Sequence, residues 1–176
     1  MIEATLKKKD TEEMCKILKD SHLEKFKRGE KLDHDRLKRI MEYVFFDIRK
    51  EYNIKDEENE RKGTVDLIYY PKNKNKAVII IELKVKNKNT EEMAIEKIHE
   101  REYYRNLNKD RYNGNILLIK INYQNENKAY GCKIKEYKVE NNELKKFYES
   151  SYKWESMNKR KNISGKGIFK RLKSSK

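Results

Sequence analysis

Apolar residues along this chain fall first at helical and then at strand spacing. Over residues 11–28, Met14, Ile17, Leu18 and Phe26 recur at helical intervals, Asp10 or Thr11 can cap the start, and Gly29 closes the segment. A second helix is expected over about 33–52, where Leu37, Ile40, Met41, Val44 and Ile48 form one buried stripe widened by Phe45 and Phe46. Residues 53–62 are polar and acidic, which fits a loop or an irregular edge strand. From Gly63 to Tyr70, Val65, Leu67 and Tyr69 alternate with Asp66, Ile68 and Tyr70 as in a strand. Pro71 to Lys76 reads as a turn, and Ala77–Val85 as a central strand buried on both faces. Thr90 can cap a third helix running to about Leu107, with Met93, Ala94, Ile98 and Tyr103 partly on one face. Residues 115–123 supply another core strand. Residues 129–137 alternate more openly, as a strand nearer a sheet edge does. The order α–α–β–β–α–β–β predicts an α/β fold with a mixed β-sheet and helices packed on it.

Composition changes this picture at the C-terminal end. The 176 residues fit one domain of ordinary size. Residues 150–176 carry nine Lys or Arg against one acid, whereas residues 1–149 carry 35 against 29. Residues 1–149 are therefore expected to form the domain and 150–176 a basic, flexible tail. Across the chain, 44 basic and 30 acidic residues give a net charge of +14, which favours an anionic partner, nucleic acid or an acidic membrane surface. Cys15 and Cys132 lie far apart and outside any CxxC or Cys/His cluster, which argues against a disulfide framework and a structural zinc site. The first ten residues lack the apolar stretch of a signal peptide, and the Ala77–Ile81 run is too short to span a bilayer. The expected setting is intracellular, cytoplasmic or nuclear, with no integral membrane segment.

Chemistry enters where ionisable residues interrupt the apolar strands. Asp66 stands between Val65 and Leu67, and Glu82 and Lys84 break the run ending at Val85. Alternation turns Glu82 and Lys84 to one face and Ile81, Leu83 and Val85 to the other. Charge near a core is costly unless it is paired or metal-bound. Two carboxylates suit Mg²⁺, a hard ion that keeps several waters, and a neighbouring lysine suits an attacking water or developing charge on phosphate. The plain alternative is a buried ion pair of Asp66 or Glu82 with Lys84.

These residues resemble the PD-(D/E)XK nuclease superfamily. Val65-Asp66 stands at the "PD" position, with valine in place of proline, and Glu82-Leu83-Lys84 forms the (D/E)XK tripeptide. The likeness is greatest to the nuclease-like domain often found C-terminal to AAA-ATPase-like domains. There a Gly-x-x-Asp strand, a strand ending in I-E-(L/F)-K and a helix with a Gln-Ile…Tyr pattern follow one another. The counterparts are Gly63 to Asp66, Ile81 to Lys84, and Lys97-Ile98 through Tyr103, so that Lys97 replaces the helix glutamine. The resemblance covers about residues 37–137 and implies a restriction-endonuclease-like αβββαβ core, here with an extra N-terminal helix.

It further implies a nuclease dependent on Mg²⁺ (or Mn²⁺) and acting on DNA rather than RNA. Asp66 and Glu82 would bind the metal, and Lys84 would serve the attacking water or the transition state. Glu42, on the second helix, and Glu60, before Gly63, are candidates for an additional acid, although both also fit ordinary solvated glutamates. Glu58, like Glu60, lies just before Gly63 and could reach the same mouth. Lys97 and Tyr103 are candidate substrate contacts, with helix packing the plainer role for Tyr103. Any ATPase partner would be a separate chain. His22, His34 and His99 sit in polar or charged surroundings and are poor catalytic candidates. Replacement of the glutamine by Lys97 supports a second reading: a catalytically degenerate module that binds nucleic acid or a protein without cutting. A third is a peripheral membrane protein held by the basic tail.

Overall fold

The computed structural model describes residues 2–26, 30–55, 65–86, 114–140 and 143–153. The first elements are helices α1 (Ile2–Lys8), α2 (Thr11–Lys25) and α3 (His34–Val44), followed by a 3₁₀ turn at Phe46–Lys50. Strands β1 (Tyr52–Lys55), β2 (Leu67–Pro71), β3 (Val78–Lys86), β4 (Ile116–Gln124), β5 (Ala129–Glu140) and β6 (Glu143–Lys153) make one sheet in chain order. Neighbours run antiparallel except β3 and β4, which are parallel. A parallel pair needs a crossover of a dozen or more residues, and the interval from Lys86 to Ile116 is long enough for one. The fold is mixed α/β, and the order α3–β1–β2–β3, then β4, follows the expected αβββαβ core as far as the described residues go.

Local chemistry starts and stops the helices. Asp10 caps α2 by accepting the Glu13 N–H at 3.0 Å, and Asp33 caps α3 by accepting the Arg36 N–H at 2.8 Å. The helix expected over 33–52 ends at Val44. Phe45 is fully buried against Tyr69, with ring centroids 5.4 Å apart, while Tyr52 must be extended to pair with Pro71. Sheet pairing thus overrides the helical stripe, and Ile48 reaches the core from the 3₁₀ turn instead. Within 53–62, residues to Lys55 belong to edge strand β1.

Two further elements were not expected from the pattern. Helix α1 buries Ile2, Thr5 and Leu6, and β6 pairs along β5, so the outer edge is β6 rather than 129–137. Strand β6 includes 150–153, the first residues assigned to the tail. The third helix at about 90–107, Gly63, Glu58, Glu60, Lys97, His99, Tyr103, Tyr104, Trp154 and the rest of the tail lie outside the described residues.

All three helices cover one face of the sheet. There Met14, Leu18, Leu37, Ile40 and Met41 pack against Leu67, Ile79, Ile81, Leu117, Ile119 and Ile121. Burial of each such side chain contributes roughly 1.5–3 kcal/mol. His22 is part of this layer: its ring meets Tyr123 and Phe26 edge-on, and Nδ1 lies 3.0 Å from the Tyr130 hydroxyl. Cys15 and Cys132 meet here as free thiols, and burial, with Cys15 as a hydrogen-bonding neighbour, pushes the Cys132 thiol up. The opposite face has its own apolar cluster, including Val65, Ile68, Val78, Ile80, Ile116 and Leu118. Among the described residues no helix is long and apolar enough to cross a membrane.

Candidate functional site

On that second face the character of β3 and β4 changes along their length. Their first halves contribute Val78, Ile80, Ile116 and Leu118, and the same face then continues as Glu82, Lys84 and Lys86 beside Lys120, Asn122 and Gln124. The polar stretch is at the carboxyl ends of two parallel strands, where open α/β sheets commonly place ligands.

Asp66 reaches this stretch from the neighbouring strand. Leu67 pairs with Ile81, so Asp66 stands beside Glu82 just before β2 begins. Strand alternation breaks there: Val65 packs in the same cluster as Ile68, three positions on, because the chain bends at Asp66. The bend lets the carboxylate act as a backbone acceptor would. Asp66 Oδ2 accepts the Leu83 N–H at 2.6 Å, and the Asp66 N–H donates to the Ile81 carbonyl at 3.2 Å. Burial raises the Asp66 pKa above its ordinary value; the Leu83 N–H and His34 pull it down, and the charge of Glu82 pushes it up again. Asp66 and Glu82 are thus neighbours across the β2–β3 ladder.

Glu82 is 8% exposed and sits between two ammonium groups. Lys84 Nζ is 3.5 Å from Oε1, and Lys120 Nζ is 3.2 Å from Oε2. Oε2 makes no hydrogen bond among the described residues, so Lys120 acts on it through charge. Asp66, Glu82 and Lys84 are thus brought together, as their spacing predicts. Glu42 is half-buried on α3, with no side-chain hydrogen bond or ion pair among the described residues.

Two residues join the cluster that sequence reasoning did not place there. Lys120 interrupts the apolar run of β4 just as Glu82 and Lys84 interrupt β3, so the same signal was available. His34 gave no such signal. It is the first residue of α3, and its Nε2 lies 2.7 Å from Asp66 Oδ1. Tertiary contacts bring it there. The Leu32 N–H donates to Asn125 Oδ1 at 2.9 Å, and Asn125 Nδ2 donates back to the Leu32 carbonyl at 2.8 Å, tying the approach to α3 to the β4–β5 turn.

Can these residues hold a divalent cation? No group of three or more His, Cys, Asp or Glu side chains arranged for a metal occurs among the described residues. Two carboxylates suffice for an ion that keeps its waters, and the buried, unbonded Oε2 of Glu82 is an oxygen donor of the right kind. The donor set fits a hard divalent ion.

The fold and this cluster define a nuclease-type α/β domain. The family model of the PD-(D/E)XK nuclease superfamily matches residues 36–132, more than half of the chain, and the chain belongs to that superfamily. Its nucleases generally use divalent metals, and membership suggests nuclease activity on nucleic acid. The match includes Asp66, Glu82, Lys84 and Lys120; it begins after His34 and stops before Lys133. No curated protein and no solved structure matches the chain significantly.

Proposed function

We propose that this protein is a metal-dependent nuclease that hydrolyses phosphodiester bonds of DNA rather than RNA. Asp66 and Glu82 would hold Mg²⁺ (or Mn²⁺), and Lys84 would serve the attacking water. The observation that carries the reading is that Asp66, just before β2, stands beside Glu82 of β3, with Lys84 on the same face paired to Glu82. When bound, the cation supplies Lewis acidity toward phosphate and lowers the pKa of a coordinated water.

The chain's own part is positioning. The Leu83 N–H and His34 fix the two oxygens of Asp66, leaving its carboxylate little freedom to turn. Lys120 steadies Glu82 from β4. Lys84, about one-third exposed, is the ammonium best placed to leave Glu82 and donate to a water or a phosphate oxygen as negative charge develops. Strand binding would be largely electrostatic and would fall steeply with added salt.

One observation favours the alternative of a degenerate module that binds nucleic acid or a protein without cleavage. Glu82 already has two ammonium neighbours, so its charge is balanced without a metal. Cleavage of single-stranded and duplex DNA in Mg²⁺ or Mn²⁺, by the parent, Asp66→Ala and Lys84→Ala, separates the two. The nuclease reading expects parent activity that is lost in EDTA, absent in Asp66→Ala and reduced about a hundredfold or more in Lys84→Ala. Binding without cutting under every metal and substrate would leave the degenerate module.

A further inference from the structure

Next to the Asp66, Glu82 and Lys84 cluster, the same sheet region holds a cavity of about 350 Å³ whose lining includes Lys86, Asn122, Gln124, Gly131, Lys133 and Ser151. It adjoins the cluster directly: Asn122 is the register partner of Lys84, and Lys133 that of Lys120. Its far side is β5 and β6, roughly 10–15 Å from β3 at ordinary strand spacing.

The floor contains Gly131, paired with Asn122 on one side and Lys153 on the other. Glycine inside a strand weakens it and often marks close approach of a ligand or another backbone. Packing does not demand it here. A Cβ at this position would lie 3.7 Å from the Tyr152 carbonyl oxygen and 3.9 Å from Asn122 Cβ, ordinary contact distances. What the missing side chain does is keep the hollow open.

The lining is rich in donors: two ammonium groups, two carboxamides and a hydroxyl. Glu149 stands beside it, paired with Lys133 at 3.1 Å. Such a lining complements a ligand dense in oxygen acceptors and carrying negative charge. We infer that this hollow takes the sugar–phosphate backbone of the substrate strand beside the bond to be cut. A phosphate entering there would compete with Glu149 for Lys133, and the contact would fix the direction in which the strand crosses Glu82. The inference rests on the nuclease reading and extends it to Lys133 and Ser151, which lie beyond the span matched by the family model.

The test is the affinity of the full chain for a fluorescent single-stranded oligodeoxynucleotide in EDTA, read by anisotropy across a salt series, beside a cleavage assay in Mg²⁺. Gly131→Leu fills the hollow and is expected to weaken binding about tenfold, the loss of one charge-assisted contact. Lys86→Gln is expected to lower the slope of log affinity against log salt by about 0.7. If Gly131→Leu does not fold, Lys86→Gln decides alone. Variants that melt like the parent and bind with its affinity and salt slope overturn the subsite, while parent cleavage leaves the nuclease reading intact. A parent that neither binds nor cuts overturns both.

Discussion

On the helix side of β3 and β4, Ile79, Ile81 and Leu83 lie beside Leu117, Ile119 and Ile121 under α2 and α3, and every one of them is buried. On the other side of the same two strands, Glu82 and Lys84 lie beside Lys120 and Asn122. Backbone, register and neighbours are shared; only the alternation differs. The helix side uses burial to stabilise the fold. The other side uses the rigidity so gained to hold like and unlike charges at fixed distances, an arrangement a loop would hold less well. Stability and chemistry should therefore separate cleanly between the two faces.

The largest expected effect is on chemistry. Asp66→Ala should cut the rate of metal-dependent cleavage by about a thousandfold or more, with unfolding in denaturant still a single transition. Next comes the helix side. Leu18, fully buried on α2, belongs to the helix-side core, and Leu18→Ala should cost roughly 3 kcal/mol of stability by denaturant titration. Cleavage at a temperature where that variant remains folded should be unchanged. A loss of cleavage equal to the loss for Asp66→Ala would break the separation.

A smaller effect joins the two faces. Asp33→Ala removes the cap of α3 and should cost about 1 kcal/mol. Because α3 begins at His34, which reaches Asp66, this variant should also slow cleavage modestly. Unchanged cleavage would mean that His34 does not matter to Asp66.

The smallest effects are slopes of stability against pH in EDTA, and they have opposite signs. Burial lowers the pKa of His22 below its ordinary 6.5, so the unfolded chain takes up a proton that the folded chain refuses. Stability is full above 6.5 and falls as pH drops through it. Burial raises Asp66 above its ordinary 3.8, so the folded chain holds its proton longer than the unfolded one, and stability falls as pH rises from 3.8 through the raised value. Thermal melts should therefore show His22→Phe flattening the acid-side loss. Asp66→Asn should be more stable than the parent at neutral pH, with an advantage that vanishes toward 3.8. Equal slopes in parent and variants would show that neither burial matters to folding.

Much of this was legible in the residues. Period-two alternation put Glu82 and Lys84 opposite Ile81 and Leu83, and three interruptions of apolar strands marked a common site. The same rule applied to Lys120 would have added a fourth. The end of the second helix is not legible locally, because Ile48 satisfies a helical stripe equally well from a 3₁₀ turn, and only the pairing of Tyr52 with Pro71 decides between them. Strand β6 carries little local signal because ELKKFYESSYK is mostly polar, with Phe147 half exposed at the sheet edge.

By itself the sequence determined the faces of β3 and β4, the start of α2 to within a residue, and the residue types gathered on the polar face, because these depend on periodicity and on groups a few positions apart. Tertiary structure alone decided that His34 meets Asp66, that Lys120 stands against Glu82, and that Gly131 lies in the floor of a hollow next to Lys84. Each of those depends on strand register and on long-range ties such as Leu32 to Asn125. Contacts of that kind form only when distant segments are packed together, and no local pattern encodes which segments will meet.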